Sequence, residues 1–300
     1  MQISPVPHKK RLKGATLFLL GVLALLAISG GIASLLPEDA LVSRRKIGLV
    51  EVKGMIADSS GIVEQLSKFR RDKNIQGIIL RIDSPGGAVA PAQEIYGEVL
   101  RVRESKKKIF ASLGSLAASG GYYIASPADQ IIANPGTLTG SIGVIMTFAN
   151  LESLIDKIGV KPEVVKSGKY KDTGSPARPL SSEERQLLQG VVDDVYRQFV
   201  AAVASGRKMD AEEVRKLADG RIYTGRQAFD LKLVDRLGGL EDAIQLLGEA
   251  VGIEGRPRVV QEKPRPDFWE WLLQSSLPQG LIQSITPSNF PSLQYLWTGG

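Results

Sequence analysis

A serine hydroxyl, a lysine amine and the backbone N–H groups of two glycine-rich turns are the groups whose types and spacing could make and break acyl bonds in this chain. The turns follow apolar runs at 83–87 (DSPGG) and 114–121 (GSLAASGG). Glycine lets a backbone approach a ligand and point its N–H outward. Two such N–H groups aimed at one point form an oxyanion hole. The same residues also suit tight turns that need a positive φ, and spacing alone leaves both readings open. The second turn sets Ser119 at the start of a short helix, among small neighbours that leave its Oγ reachable.

A serine nucleophile needs a base. The chain has no cysteine and one histidine, His8, in a basic stretch ahead of an apolar segment, where it is badly placed for a triad. Thiol chemistry and metal sites built on several histidines are excluded. The base is then a lysine or a carboxylate. A lysine serves only when its pKa falls from about 10.4 toward 7–8, at a cost of about 4 kcal/mol, so it must be enclosed. The segment 167–172 (SGKYKD) offers Lys169 and Lys171, and composition does not choose between them.

The elements that must position these groups alternate. The sequence predicts strands at 46–52, 75–82, 108–113, 129–133 and 162–166, with helices at 60–71 and about 89–104 and a short one from Ser119. Strand–helix alternation with glycine-rich connections argues for an α/β layered core over 46–179. From 180 to 260 the pattern is helical: 181–205 behind a Ser181 or Ser182 cap, then 210–218, 225–232 and 240–251. Residues 261–300 form a proline-containing tail that holds all three tryptophans. Its aromatics suit either a membrane interface or packing on the domain.

Ahead of the core, residues 14–36 carry no charge and as a helix would cover roughly 34 Å, enough for a hydrocarbon core of about 30 Å. Lys9, Lys10, Arg11 and Lys13 precede it, and a linker at 37–45 follows. Basic residues stay cytoplasmic, so the expectation is an uncleaved signal anchor with residues 1–13 inside and the rest translocated. A signal peptide cleaved near Ala33 is the rival reading. The four basic residues supply +4 of the net charge of +6. The folded part is nearly neutral, which argues against nucleic acid as a partner.

Over about residues 46–250 the chain resembles the short form of the signal peptide peptidase SppA family, serine–lysine proteases of the Clp/crotonase-like fold. The resemblance rests on six motifs in order: IGLVEVKGMI, RIDSPGG, GSLAASGGYYIAS, LTGSIGV, VKSGKYKD and ADGRIYTGRQAFDLKLVD. It implies that Ser119 is the nucleophile and Lys171, 52 residues on, the general base. It further implies that Ser141 hydrogen-bonds the lysine amine and that the N–H groups of Gly87 and Gly120 form the oxyanion hole. No metal or cofactor is implied. The implied substrates are signal peptides and other unfolded apolar segments at the membrane. The implied assembly is a homo-oligomeric ring whose sites are shared between subunits. Rival readings keep the dyad but cut a hydrophobic segment of a membrane-protein partner, or keep the ring as a non-catalytic scaffold. An acyl-CoA enzyme of the crotonase type rests on fold analogy alone.

Overall fold

Short β-branched runs separated by amphipathic helices commit this chain to a buried parallel sheet with helices on both faces. The computed structural model describes residues 21–22, 45–262 and 293–297. Its central strands are β1 (Lys46–Lys53), β2 (Ile75–Ser84) and β4 (Lys108–Ala118). They run parallel, with Val50 opposite Leu80 and Leu80 opposite Ala111. Successive residues of β2 serve opposite faces. Ile78 and Leu80 pack with Leu66, Phe69, Ile95 and Val99 under α1 (Ser60–Arg71) and α2 (Val89–Glu104). Ile79 packs with Ile47, Phe110, Ile244 and Leu247 under the helix Leu240–Ala250. Burying each such side chain stabilises the fold by about 1.5–3 kcal/mol.

Strand β4 is longer than its apolar run suggests, and its length builds the site. Its first half pairs with β5 (Gln130–Ala133), and its second half, Leu116 to Ala118, pairs with β6 (Leu138–Gly140). Two strands therefore pair along different halves of one strand; residues 114–118, expected as a turn, continue β4, and the chain turns only at Ser119. The short strand β3 (Gly86–Ala88) continues past the end of β2.

The segment 180–260 is not purely helical. After the long helix Ser182–Arg207, capped by a reciprocal Ser181–Glu184 box, come β7 (Ile222–Thr224), β8 (Arg236–Leu237) and β9 (Arg258–Gln261). They join the same eight-stranded sheet beside β6, β5 and β1 respectively. Hence 46–179 and 180–260 share one sheet.

The strand expected at 162–166 is absent. Residues 160–166 are irregular and exposed, with Val165 fully so, because the segment meets no sheet edge within the chain. Among the described residues no helix is long and apolar enough to cross a membrane. The apolar segment 14–36 lies outside the described residues except for Gly21 and Val22, which are helical. Of the tail, residues 261–262 and 293–297 are described, and 294–296 form β10 (Gln294–Leu296), antiparallel to β3. Trp269 and Trp271 lie outside the described residues.

Candidate active site

Ser119 sits where β4 ends and α3 (Gly120–Ala125) begins, with φ +52° and ψ −116°. A non-glycine residue at such a φ is strained, and surrounding structure must hold it there. Its N–H donates to Gly140 O at 2.8 Å, tying the turn to the end of β6, and its carbonyl accepts from Tyr123 N at 2.8 Å. The side chain is 1% exposed and makes no capping bond to the helix it precedes. Oγ is therefore not taken up in capping the helix.

The other glycine turn is bolted alongside. The Asp83 carboxylate accepts from Leu116 N at 3.1 Å, and the Ser84 hydroxyl accepts from Gly86 N at 3.1 Å. Gly86 has φ +99°, a conformation that favours glycine. On one edge of β3, Ile56 N donates to Gly86 O and Ala88 N donates to Ile56 O, both at 2.8 Å. Strand alternation then turns the Gly87 N–H to the opposite edge. A Cβ placed on Gly120 would lie 3.2 Å from Gly87 N, so the two glycines expected to hold an oxyanion are neighbours in space.

Ser141 follows β6 in a second left-handed position, φ +49°, and is nearly buried. Its N–H donates to Arg221 O at 2.8 Å. It lines a cavity of about 420 Å³ with Ile145, Tyr196, Asp219, Leu296 and Trp297. Ser119, Ser141, Gly87 and Gly120 thus gather at the ends of β3, β4 and β6.

Lys171 stands apart on the loop 167–179. Three cations share that loop or flank it with nearby carboxylates. Lys166 meets Asp172 at 2.5 Å, Lys169 pairs with Glu183, and Arg178 bridges Asp172 at 3.1 Å and Glu184 at 2.6 Å. Those guanidinium and ammonium donors hold the Asp172 carboxyl down at about 2, and the Arg178 guanidinium with the Ser181 N–H pulls Glu184 well below the usual carboxylate range. The Glu183 carboxylate raises the Lys169 ammonium. Lys171 alone among these lysines has an amine with no ion pair or hydrogen bond, and its side chain is exposed. Among the described residues no hydrogen bond joins it to Ser119 or Ser141 within the chain. The Glu183 carboxylate favours the charged form of Lys169, whereas Lys171 has no carboxylate partner within the chain.

The sequence reading did not single out Asp83, which joins the two turns, or Arg178, which anchors the lysine loop. Asp83 was visible as the polar end of an apolar strand running into glycine. Among the described residues no group of three or more histidine, cysteine, aspartate or glutamate side chains could hold a metal ion.

A strained serine beside converging backbone donors at the end of a parallel sheet is the architecture of a serine hydrolase, and the comparisons make it a serine protease. Residues 101–254 match the model of peptidase family S49, and residues 36–135 that of Clp protease. The chain is 47% identical over 229 residues to a candidate protease of Synechocystis sp., covering 75% of this chain and 82% of that one. It is 36% identical over 258 residues to a candidate signal peptide peptidase SppA of Enterococcus faecium, covering 82% and 75%. With the chloroplastic serine protease SPPA of Arabidopsis thaliana it shares 35% identity over 227 residues, which is 75% of this chain and 33% of that longer one. The chain belongs to peptidase family S49 and is SppA-like.

Proposed function

We infer that this chain is a membrane-anchored endopeptidase that degrades signal peptides with a serine–lysine dyad. The observation that carries the reading is Ser119 held at φ +52° next to the paired N–H groups of Gly87 and Gly120. Ser119 Oγ attacks the peptide carbonyl carbon while the neutral Lys171 amine takes its proton. Gly87 and Gly120 N–H groups receive the oxyanion. Lys171 then passes the proton to the leaving amine. Water, activated by the same amine, releases the acyl group from Ser119. Ser141 orients the lysine amine without a charge of its own, which suits a base that must stay neutral.

The base reaches the serine from a neighbouring copy in a ring. Three features support this. Lys171 is exposed and unpaired in the single chain. Beside it, Leu151, Leu154, Ile158, Val160, Val164 and Val165 are all exposed, an apolar run that a second copy would cover. The unpaired strand pattern at 162–166 fits the same role, pairing across a subunit boundary. The segment 14–36 anchors the ring at a membrane, where apolar peptides released by other proteases accumulate.

The test is a peptidase assay on the purified full chain in detergent, with a synthetic signal peptide and a folded protein as substrates. Cleavage of the peptide alone, abolished by Ser119→Ala, is expected. Undiminished cleavage by Ser119→Ala sinks the mechanism.

A further inference from the structure

Strand β4 does not keep step with its neighbour. Ile82 pairs with Leu113, and the next pair on the ladder is Ser84 with Ala117. One residue of β2, Asp83, therefore faces three of β4: Gly114, Ser115 and Leu116. A common bulge adds one residue, and this one adds two. At about 3.3 Å per residue, a regular ladder would carry Ser119 roughly 7 Å beyond the level it now holds. The bulge thus brings Ser119 and Gly120 back beside the β3 turn, where a Cβ on Gly120 would lie 3.1 Å from Gly86 Cα.

A bulge leaves backbone groups without ladder partners, and buried ones must be satisfied. Here side chains from both sides of β4 satisfy them. From β2, the Asp83 carboxylate accepts from Leu116 N at 3.1 Å. The Arg81 guanidinium donates to Leu113 O at 3.0 Å, just before the bulge, and to Ser112 Oγ at 2.9 Å. From the other side, the Thr137 hydroxyl, itself buried, donates to Gly114 O, and that of Thr139 donates to Ala117 O, both at 2.7 Å. The Asp83 side chain lies against bare backbone, since a Cβ on Gly114 would be 2.8 Å from the Asp83 carboxyl carbon. Among the described residues that carboxylate forms no ion pair. Lys53, opposite Asp83 on β1, pairs with Glu51 at 2.9 Å instead. Asp83 therefore works as an acceptor rather than as a charge.

We propose that Asp83 and Thr137 are positioning residues of the peptidase: together they hold the two-residue bulge of β4, and the bulge sets Ser119 against the N–H groups of Gly87 and Gly120. The claim deepens the peptidase reading and rests on it for the kinetics, while the bulge itself rests on the fold alone. Asp83 acts through Leu116 N, three residues before Ser119, and Thr137 acts through Gly114 O.

Steady-state cleavage of a synthetic signal peptide by the full chain in detergent separates positioning from binding. Asp83→Ala should lower kcat by roughly tenfold to a hundredfold, the scale of a misplacement near 1 Å, with KM within about threefold of wild type. Asp83→Asn keeps an acceptor for Leu116 N and should turn over at least fivefold faster than Asp83→Ala. Thr137→Val fills the same space without the hydroxyl and should lower kcat by a similar factor, with Thr137→Ser restoring it. In the double variant Asp83→Ala/Thr137→Val the two losses should fall short of multiplying, because both release one bulge. Urea unfolding confirms that each variant is folded, and Thr137→Val carries the test if Asp83→Ala is not. An Asp83→Asn chain as slow as Asp83→Ala overturns the proposal, since the charge would then be the working feature. So does wild-type kcat in a folded Asp83→Ala or Thr137→Val chain, or a change in KM alone. Hydrogen exchange reads the bulge without catalysis. Amides 114–119 should exchange at least tenfold faster in Asp83→Ala, while 75–82 and 108–113 keep their protection; unchanged protection at 114–119 overturns the clamp. A wild-type chain that cuts no peptide, with the expected exchange pattern, would leave the clamp standing and remove the peptidase reading instead.

Discussion

At the residue scale the choice of base turns on pairing rather than on the presence of lysine. Lys166 and Lys169 each sit against a carboxylate, and Glu183 favours the charged form of Lys169. Lys171 has no such partner, so enclosure by another surface can discharge it without first breaking an ion pair. Lys171→Ala should lower kcat by roughly 10²–10⁴-fold, the scale of losing a general base. Lys169→Ala should stay within a few-fold of wild type, measured by steady-state turnover of a signal peptide; the reverse ranking refutes the assignment. Turnover of the wild-type chain should also rise with pH, because only the neutral amine accepts the serine proton. The proposed role of Ser119 as nucleophile comes from the family resemblance; that a serine starts a short helix among small residues was legible in the sequence. The lysine was not, because what separates Lys171 from Lys169 is the position of Glu183, twelve residues beyond the first and in another element.

At the element scale the lysine loop depends on the start of the long helix. Glu184 serves twice, closing the capping box with Ser181 and receiving the Arg178 guanidinium. Arg178→Gln leaves the nearly buried Glu184 without its cation and loosens the loop, and kcat should fall by roughly tenfold to a hundredfold for a misplacement near 1 Å. The same pairs predict an acid limit. Asp172 and Glu184 have carboxyls depressed below their unfolded values, so their stabilisation is complete above about pH 4–5 and fades as pH falls toward 2. Hydrogen exchange in residues 167–185 should therefore accelerate across that window, ahead of the central strands; simultaneous loosening of both contradicts the local anchor. The strands themselves behave as core. Leu80→Ala, fully buried on β2, should cost about 2–5 kcal/mol in urea unfolding. The long apolar strands and amphipathic helices were legible because burial imposes periods of two and 3.6. The strand misread at 162–166 has the same composition and no partner in the chain. β10 was missed because three residues carry no period, and only the exposed edge of β3 gives them a place.

At the scale of the whole molecule, the single chain gathers Ser119, Gly87, Gly120 and Ser141 but leaves Lys171 on an exposed loop near exposed apolar residues. In the proposed head-to-tail ring the lysine loop of one copy would meet the serine turn of the next, and such heterologous interfaces close into rings when the rotation permits. The consequence is testable without a further structure. Ser119→Ala chains and Lys171→Ala chains should each be inactive alone. Co-assembled at equal proportion from a denatured mixture, half the boundaries join unlike chains, and half of those have the intact serine facing the intact lysine. Mixed rings should therefore recover about a quarter of wild-type turnover if neighbours assort at random. The recovery should scale with the product of the two fractions as the ratio is varied, since each active boundary needs one chain of each kind. Single-chain catalysis predicts no recovery at any ratio. Co-purification through a tag on one chain establishes that mixed rings formed, so that a null result would locate both catalytic residues of each site in one subunit and require the loop 167–179 to fold over its own serine.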